Sequence, residues 1–294
     1  MDVSTSETTR RPTPCDTAAP VHAFTIDVED YFHAHALASA IDRADWDDWP
    51  LRVIDSTHRL LDLLARKNVR ATFFTLGWVA DKAPTLMRRI VENGHELACH
   101  GHLHHRVDHL KPYEFSEDLR RAQRQLEDHT GVAVHGYRAP SFSISDRTPW
   151  AYDTLASLGF RYSSSVHPIQ HDHYGDPNAP TVAHFPHSDV LEIPISTLRL
   201  GGANRAFAGG GHFRLLPYRV SRHAWRVYQR HRAEPGVFYI HPWEIDPDQP
   251  RPARLPLRVR MRHYLNLTRT EQRLDRLLGD FRWDRMDRLF LSQR

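Results

Sequence analysis

The sequence predicts an α/β fold, a parallel layer or barrel, on three observations. Short apolar runs with the β-branched and aromatic character of strands alternate with longer amphipathic stretches through most of residues 22–245. Glycine and proline fall where helix ends place them. Four of the strand-like runs end in ionisable residues, and the carboxyl ends of parallel strands are where such folds bind ligands.

The elements follow in order. Residues 1 to 20, rich in Ser, Thr and Pro, read as a disordered leader. His22-Ala-Phe-Thr-Ile-Asp-Val28 is the first strand, and a polar, Trp-bearing loop spans Asp42 to Pro50. Leu60, Leu61, Leu63 and Leu64 lay a helical stripe along Ser56 to Lys67, and Ala71 to Leu76 is the second strand. Pro84 to Glu92 is a helix with Gly94 just past its end, and His95 to Cys99 is the third strand. Ser116 is expected to cap a helix running to about His129 and closed by Gly131. Val134 to Arg138 is a short strand, and Pro149 opens a helix that ends before Gly159. Phe160 to Ser163, Val190 to Ile195 and Val237 to His241 supply further strands. After Pro247 a proline-rich run breaks regular structure. A last helix is expected from Thr268, whose spacing to Glu271 fits a capping box, to Gly279. The expected divisions are a leader over 1–20, a barrel over 21–246, and a basic C-terminal extension over 247–294 packed on that barrel.

At 294 residues, 40% hydrophobic and 26% charged, the chain has material for a large core and is neither disordered nor collagen-like. No run of about 18 apolar residues appears, so no transmembrane segment is predicted. Met1 to Pro20 holds two arginines without an apolar run behind them, unlike a secretory signal. Two cysteines, Cys15 and Cys99, imply no disulfide framework. The expected compartment is the cytoplasm, at most peripheral to the inner membrane. A net charge of +3 is too small by itself to imply nucleic acid, and no nucleic-acid partner is expected. The charge is uneven, however: Arg251 to Arg294 holds 12 arginines and five acids, or +7, leaving −4 for residues 1–250. Such a tail either attracts an anionic polymer or lipid surface or is a solvated helical face. The absence of clustered aromatics favours the second.

The chemistry-bearing residues lie at strand ends. Thr25-Ile-Asp27-Val-Glu29-Asp30 closes the first strand. Residues two apart share a strand face, so Asp27 and Glu29 point the same way, and two carboxylates together repel unless a cation or proton sits between them. Cys99-His100-Gly101-His102-Leu103-His104-His105 follows the third strand. His100 and His104, four apart, are expected to stack on one helical turn within reach of one metal ion. Gly101 lets the chain turn, His102 and His105 point elsewhere, and Cys99 faces away into the core. Two histidines and a carboxylate leave an open coordination position, as hydrolytic metal sites do. In Gly136-Tyr137-Arg138-Ala139-Pro140, Pro140 fixes a turn and Arg138 can orient a carboxylate. An apolar strand from Val237 delivers His241 at its end, where Pro242 terminates it.

In that order, the motifs Thr-Ile-Asp-x-Glu-Asp, His-Gly-x-x-His, Arg-x-Pro and a late strand ending in His resemble the polysaccharide deacetylases of the NodB-homology, carbohydrate esterase 4 type. The resemblance covers roughly residues 22 to 245. The segments Gly209 to Tyr218, Phe238 to Asp246 and Arg262 to Leu267 are similar to an exosortase-associated (PEP-CTERM) subgroup whose members carry a C-terminal extension. The resemblance implies an irregular (β/α)7 barrel, NodB-like, with a C-terminal helical extension. It implies a metal-dependent hydrolase that removes N-acetyl groups from amino sugars of a bacterial exopolysaccharide or its lipid-linked precursor, with exopolysaccharide biosynthesis machinery as a partner. Position by position, it implies that Asp27 is the general base, that His100 and His104 bind metal, that Arg138 holds Asp27, and that His241 is the general acid. Many members have two adjacent aspartates, whereas here Val28 follows Asp27. The carboxylate ligand is then Glu29, with Asp30 as the alternative. Zinc is the expected cofactor, and cobalt, nickel or manganese suit the same donors. Tyr137, Pro140 and Trp243 are the expected substrate contacts, the two aromatics by stacking on sugar rings. Two other readings compete. A non-catalytic sugar-binding or scaffold homologue is disfavoured because Asp27, His100, His104 and His241 are all present. A metal-independent amidohydrolase of small amides would not need the His100 and His104 pair.

Overall fold

The computed structural model describes residues 19–172, 174–186, 189–253 and 255–291. The expected leader, apart from its last two residues, and Cys15 therefore lie outside the described residues.

The first strand, β1 (Val21–Val28), is followed by α1 (Val53–Arg66), β2 (Thr72–Thr75), α2 (Gly77–Lys82), α3 (Pro84–Glu92) and β3 (Glu96–Cys99). The next elements are α4 (Pro112–Thr130), β4 (Gly136–Tyr137), α5 (Trp150–Ser157), β5 (Tyr162–Ser163) and β6 (Leu191–Glu192). A hairpin of β7 (Thr197–Leu200) and β8 (Ala203–Ala206) leads to α6 (Gly210–Leu215), α7 (Tyr218–His231) and β9 (Val237–Ile240). The chain closes with α8 (Leu257–Tyr264), α9 (Leu267–Asp280), β10 (Arg282–Asp284) and α10 (Met286–Phe290).

Seven parallel strands run in the order β9-β1-β2-β3-β4-β5-β6, the curled, helix-covered sheet of an irregular (β/α)7 barrel. β10 adds a short parallel partner beside Val21–Ala23. Among the described residues β6 and β9 do not pair. The seam is stitched instead by the Ser196 hydroxyl, which accepts from the Val237 N–H at 2.7 Å.

Strand alternation sorts the side chains. Phe24, Ile26 and Val28 point outward into the layer packed by α1, α3, α4 and the C-terminal residues Leu274, Leu277 and Trp283. Ala23, Phe74, Ala98, Tyr162 and Tyr239 form a second apolar cluster that includes Phe142, Ile193 and Met286. Buried on both faces, these strands show the near-continuous burial of parallel sheets.

Several boundaries differ from the sequence expectation. α3 starts and stops where predicted, but α4 begins at Pro112, four residues before Ser116. Pro112 at the first helical position, with Glu114 accepting from the Lys111 N–H, is the start signal used. α9 begins at Leu267, after Asn266 at φ +56°, so Thr268 lies inside the helix and the expected capping box does not form. Arg43–Asp48 of the Trp-bearing loop is a 3-10 helix whose Trp46 is buried.

Candidate active site

Odd-numbered residues of β1 point inward, which lines up Thr25, Asp27 and Glu29 toward and just past its carboxyl end. Asp27 is buried and pinned by Arg138, whose Nη1 donates to Asp27 Oδ1 at 2.6 Å and to the Thr25 hydroxyl at 2.8 Å. The guanidinium is itself fully buried. It donates to the Ser164 carbonyl and hydroxyl and lies 4.1 Å above the Phe74 ring. A charge so enclosed is tolerable only when paired, so Arg138 and Asp27 fix one another.

His100 and His104 do not share a helical turn. Residues 100–106 are irregular, with positive φ at Gly101 (+79°) and His104 (+53°). Asp118 of α4 holds this loop by accepting from the His102 and Leu103 N–H groups, while Gly77 and Trp78 at the start of α2 donate to the carbonyls of Gly101 and His102. The loop still brings the two imidazoles together. His104 Nε2 lies 2.6 Å and His100 Nε2 3.9 Å from Glu29 Oε2, and among the described residues these three make the one cluster of metal-ligand spacing.

Two observations test whether this cluster fits a cation. His100 Nδ1 sits 2.8 Å from the Arg138 carbonyl, which can only accept, so Nδ1 carries the proton and Nε2 presents a lone pair to the cluster. Burial lowers the His100 pKa to about 4, keeping the ring neutral as a ligand must be. Glu29 Oε2 is buried, and its one close polar neighbour besides His100 is His104 Nε2, so no donor from outside the cluster satisfies it. Burial pushes the Glu29 pKa up, but the neighbouring His104, His241 and His100 outweigh it and hold the carboxyl well below its usual range. Two imidazoles, one of them with its Nε2 lone pair turned inward, and one buried carboxylate are a donor set that fits a divalent ion. Asp30, the alternative carboxylate, does not join them, because it accepts from the N–H groups of Tyr31, Arg52 and Val53 and anchors the start of α1.

His241 follows β9 on the opposite flank, its Nε2 3.8 Å from Asp27 Oδ2 and 3.4 Å from Glu29 Oε1. Its Nδ1 lies 2.8 Å from Glu244 Oε1, and Glu244 is held in turn by Arg214 Nε at 2.6 Å. Burial disfavours the imidazolium, but Glu29, Glu244 and Asp27 overcome it and raise the His241 pKa to about 9. The glycines at the start of α6 make this support possible. A Cβ on Gly210 would lie 2.0 Å from Glu244 Oε1, and one on Gly209 would strike the Tyr239 ring at 2.5 Å. The Arg214–Glu244–His241 chain is absent from the sequence expectation. Its one local signal is the glutamate three residues after His241, inside one turn.

The expected substrate contacts fare differently. Tyr137 is buried on the outer face against Phe115 and Phe160 and does not line the site. Arg138 faces inward, so its neighbour on the strand must face outward. Pro140 is also buried away from the cavity, whose wall its neighbours Ala139 and Ser141 form. Trp243 does line it, but its ring is stacked against His241 and His263 and lies under the Arg214 guanidinium. It therefore braces His241 rather than offering a free platform. The cavity measures about 430 Å³ and is completed by Tyr174, His171 and, from α8, Val259, Arg262 and His263. A wider groove of about 1110 Å³ over α4 adjoins it at His35, His104 and Ser141.

Comparison with known proteins divides the chain in two. Residues 45–163, which hold His100, His104 and Arg138, match the family described as polysaccharide deacetylase. Residues 164–291, which hold Arg214, His241 and Glu244, match a domain of unknown function, DUF3473. A peptidoglycan-N-acetylglucosamine deacetylase of Bacillus cereus is 30% identical over 124 residues, 40% of this chain and 44% of that protein. A chitooligosaccharide deacetylase of Bradyrhizobium is 30% identical over 111 residues, 38% and 48% respectively. The chain thus spans under half the length of these curated relatives. Among solved structures, a candidate polysaccharide deacetylase from Mycobacterium smegmatis superposes with a TM-score of 0.61 at 20% identity, over 97% of this chain and 96% of that one. A peptidoglycan deacetylase of Bacillus subtilis gives 0.51 at 13% identity, over 95% and 94%. These likenesses show the fold.

Proposed function

We propose, from the match of residues 45–163 to the polysaccharide deacetylase family, that this chain is a metal-dependent hydrolase removing N-acetyl groups from amino sugars of a bacterial polysaccharide. The observation that carries it is the placement of a guanidinium-held carboxylate, Asp27, and a carboxylate-held imidazole, His241, on either side of the Glu29, His100 and His104 cluster. Amide hydrolysis needs a base for water and an acid for the departing amine, because the amide is a poor electrophile and an amide anion a poor leaving group. A divalent ion bound by Glu29, His100 and His104 would supply Lewis acidity to the carbonyl and to water.

The chain's own residues supply the rest. Asp27, with Oδ1 committed to Arg138, keeps Oδ2 free to take a proton from water. His241, held in its charged form by Glu244, gives a proton to the nitrogen from Nε2, while Glu244 keeps the other proton on Nδ1. The cavity of about 430 Å³ continues into the groove over α4, a continuous path that suits a substrate longer than one sugar residue. The similarity of the Gly209–Tyr218, Phe238–Asp246 and Arg262–Leu267 segments to the exosortase-associated subgroup supports an exopolysaccharide, or its lipid-linked precursor, as substrate. Zinc suits the two nitrogen and one oxygen donors best.

Elemental analysis tests the site apart from turnover. About one divalent ion per chain is expected in the wild type and in Asp27→Asn, with clear loss in Glu29→Gln and His100→Ala. Equal metal content in all four proteins would refute the ligand assignment.

A further inference from the structure

The surface around the mouth of the cavity has a composition that hydrolysis does not explain. From Gln249 to Thr270 the chain carries six arginines (251, 254, 258, 260, 262 and 269) and neither aspartate nor glutamate. Within it, α8 exposes apolar side chains of unusual size: Leu257 is 72% and Met261 61% accessible, with Leu265 at the helix end 36%. Residues four apart share a helix face, so Leu257 and Met261 form one outward stripe while Val259 and His263 form the inward one that lines the cavity. Arg258 and Arg262 follow the stripe on one side and Arg260 on the other. Among the described residues no carboxylate pairs with Arg251, Arg258, Arg260 or Arg262. Arg214 ties this segment to α6 through the carbonyls of His263 and Leu265, and the next residue, Leu215, is 58% exposed.

We propose that α8 and its flanks dock this protein on the surface of an anionic lipid bilayer, with the cavity opening beside the headgroups. Exposed leucine and methionine between arginines that lack carboxylate partners is the pattern of an interfacial helix, whose apolar face enters the acyl boundary while arginines engage lipid phosphate. A soluble polyanion would select the arginines but would leave Leu257 and Met261 in water. No described helix is long and apolar enough to cross a membrane, so the contact is peripheral. Val259, Arg262 and His263 belong to both the docking helix and the cavity wall. The docked orientation therefore presents the site to a glycan tethered to lipid. That consequence rests on the deacetylase reading; the docking does not.

The test is co-sedimentation of the full chain with vesicles of phosphatidylcholine alone and of phosphatidylcholine with phosphatidylglycerol. The wild type should bind only the second, and more weakly as salt rises. The double variant Leu257→Ser, Met261→Ser should lose roughly tenfold or more in partitioning. The variant Arg258→Glu, Arg260→Glu should lose more, at roughly fivefold per arginine removed. Both variants change exposed side chains outside the catalytic groups, so their melting temperatures and their hydrolysis of soluble oligosaccharide should match the wild type. Absence of wild-type binding to the anionic vesicles would overturn the proposal. So would binding that neither variant weakens, or heparin binding sensitive to the arginines with no vesicle binding. Acetate release from soluble oligomers reports separately on the enzymatic reading.

Discussion

His241 faces three carboxylates, and what it does with its proton depends on which of them it keeps. A bound cation would take up Glu29, and Asp27 is already paired with Arg138, so Glu244 is the lasting partner. Glu244 is itself strongly ionised: burial works against its charge, yet Arg214 and His241 lower its pKa to about 2. An acid must be protonated to act, so activity falls as pH rises through the His241 pKa. Removing the Glu244 charge in Glu244→Gln should lower that pKa and move the alkaline limb of the pH–rate profile about one unit or more toward neutrality. An unmoved limb would mean Glu244 is only structural. Asp27→Asn should lower kcat by about 10²–10⁴-fold, the usual contribution of a general base, and because it leaves the buried Arg138 guanidinium without its carboxylate it should also lower the unfolding midpoint. At this scale the residues that converge are legible in the sequence, because each ionisable motif follows a strand of a parallel fold, while the role of each comes from the family resemblance. Tyr137 and Pro140 lie away from the cavity, and for Tyr137 the alternation that puts Cys99 opposite His100 already puts it opposite Arg138. Arg214 is invisible to spacing because it reaches Glu244 from 30 residues away.

Elements show where local signals suffice and where they do not. α3 carries its own punctuation, proline at the start and glycine after the end, and is legible to the residue. The spacing of His100 and His104 predicts a turn of helix, but the loop from His100 to Arg106 takes its shape from Asp118 and the start of α2, partners that spacing alone does not reveal. β10 shows the same limit. Arg282–Asp284 is only three residues long and pairs with the first strand, more than 250 residues away in sequence. Its Trp283 packs against Phe24, Trp225, Phe238 and Phe281 and donates to the Leu277 carbonyl. The C-terminal segment is thereby part of the core, and Trp283→Ala should cost about 3–5 kcal/mol in denaturant unfolding. A loss below about 1 kcal/mol would mean the segment is an appendage.

Across the whole molecule, the end of the barrel opposite the cavity is closed by one buried carboxyl. Glu96 accepts from the Thr72 hydroxyl, the Tyr162 hydroxyl and the Asp287 N–H, linking β2, β3 and β5 to α10. Burial, then the charge of Asp287, raise its pKa from 4.5 to about 7 despite those donors. The folded state thus holds its proton more tightly than the unfolded chain does. The stabilisation is complete below about pH 4.5 and is lost as pH rises through 7. Between about pH 5 and pH 8 the wild type should lose about 2 kcal/mol of stability that Glu96→Gln retains. Parallel stability curves for the two proteins would remove Glu96 from that role. At the site end, the most direct measurement is acetate release from N-acetylglucosamine oligomers by the full chain, before chelation, after exhaustive chelation, and after zinc is restored. Release that stops with chelation and returns with zinc is predicted; release undiminished in the chelated protein would contradict a catalytic role for the Glu29, His100 and His104 cluster.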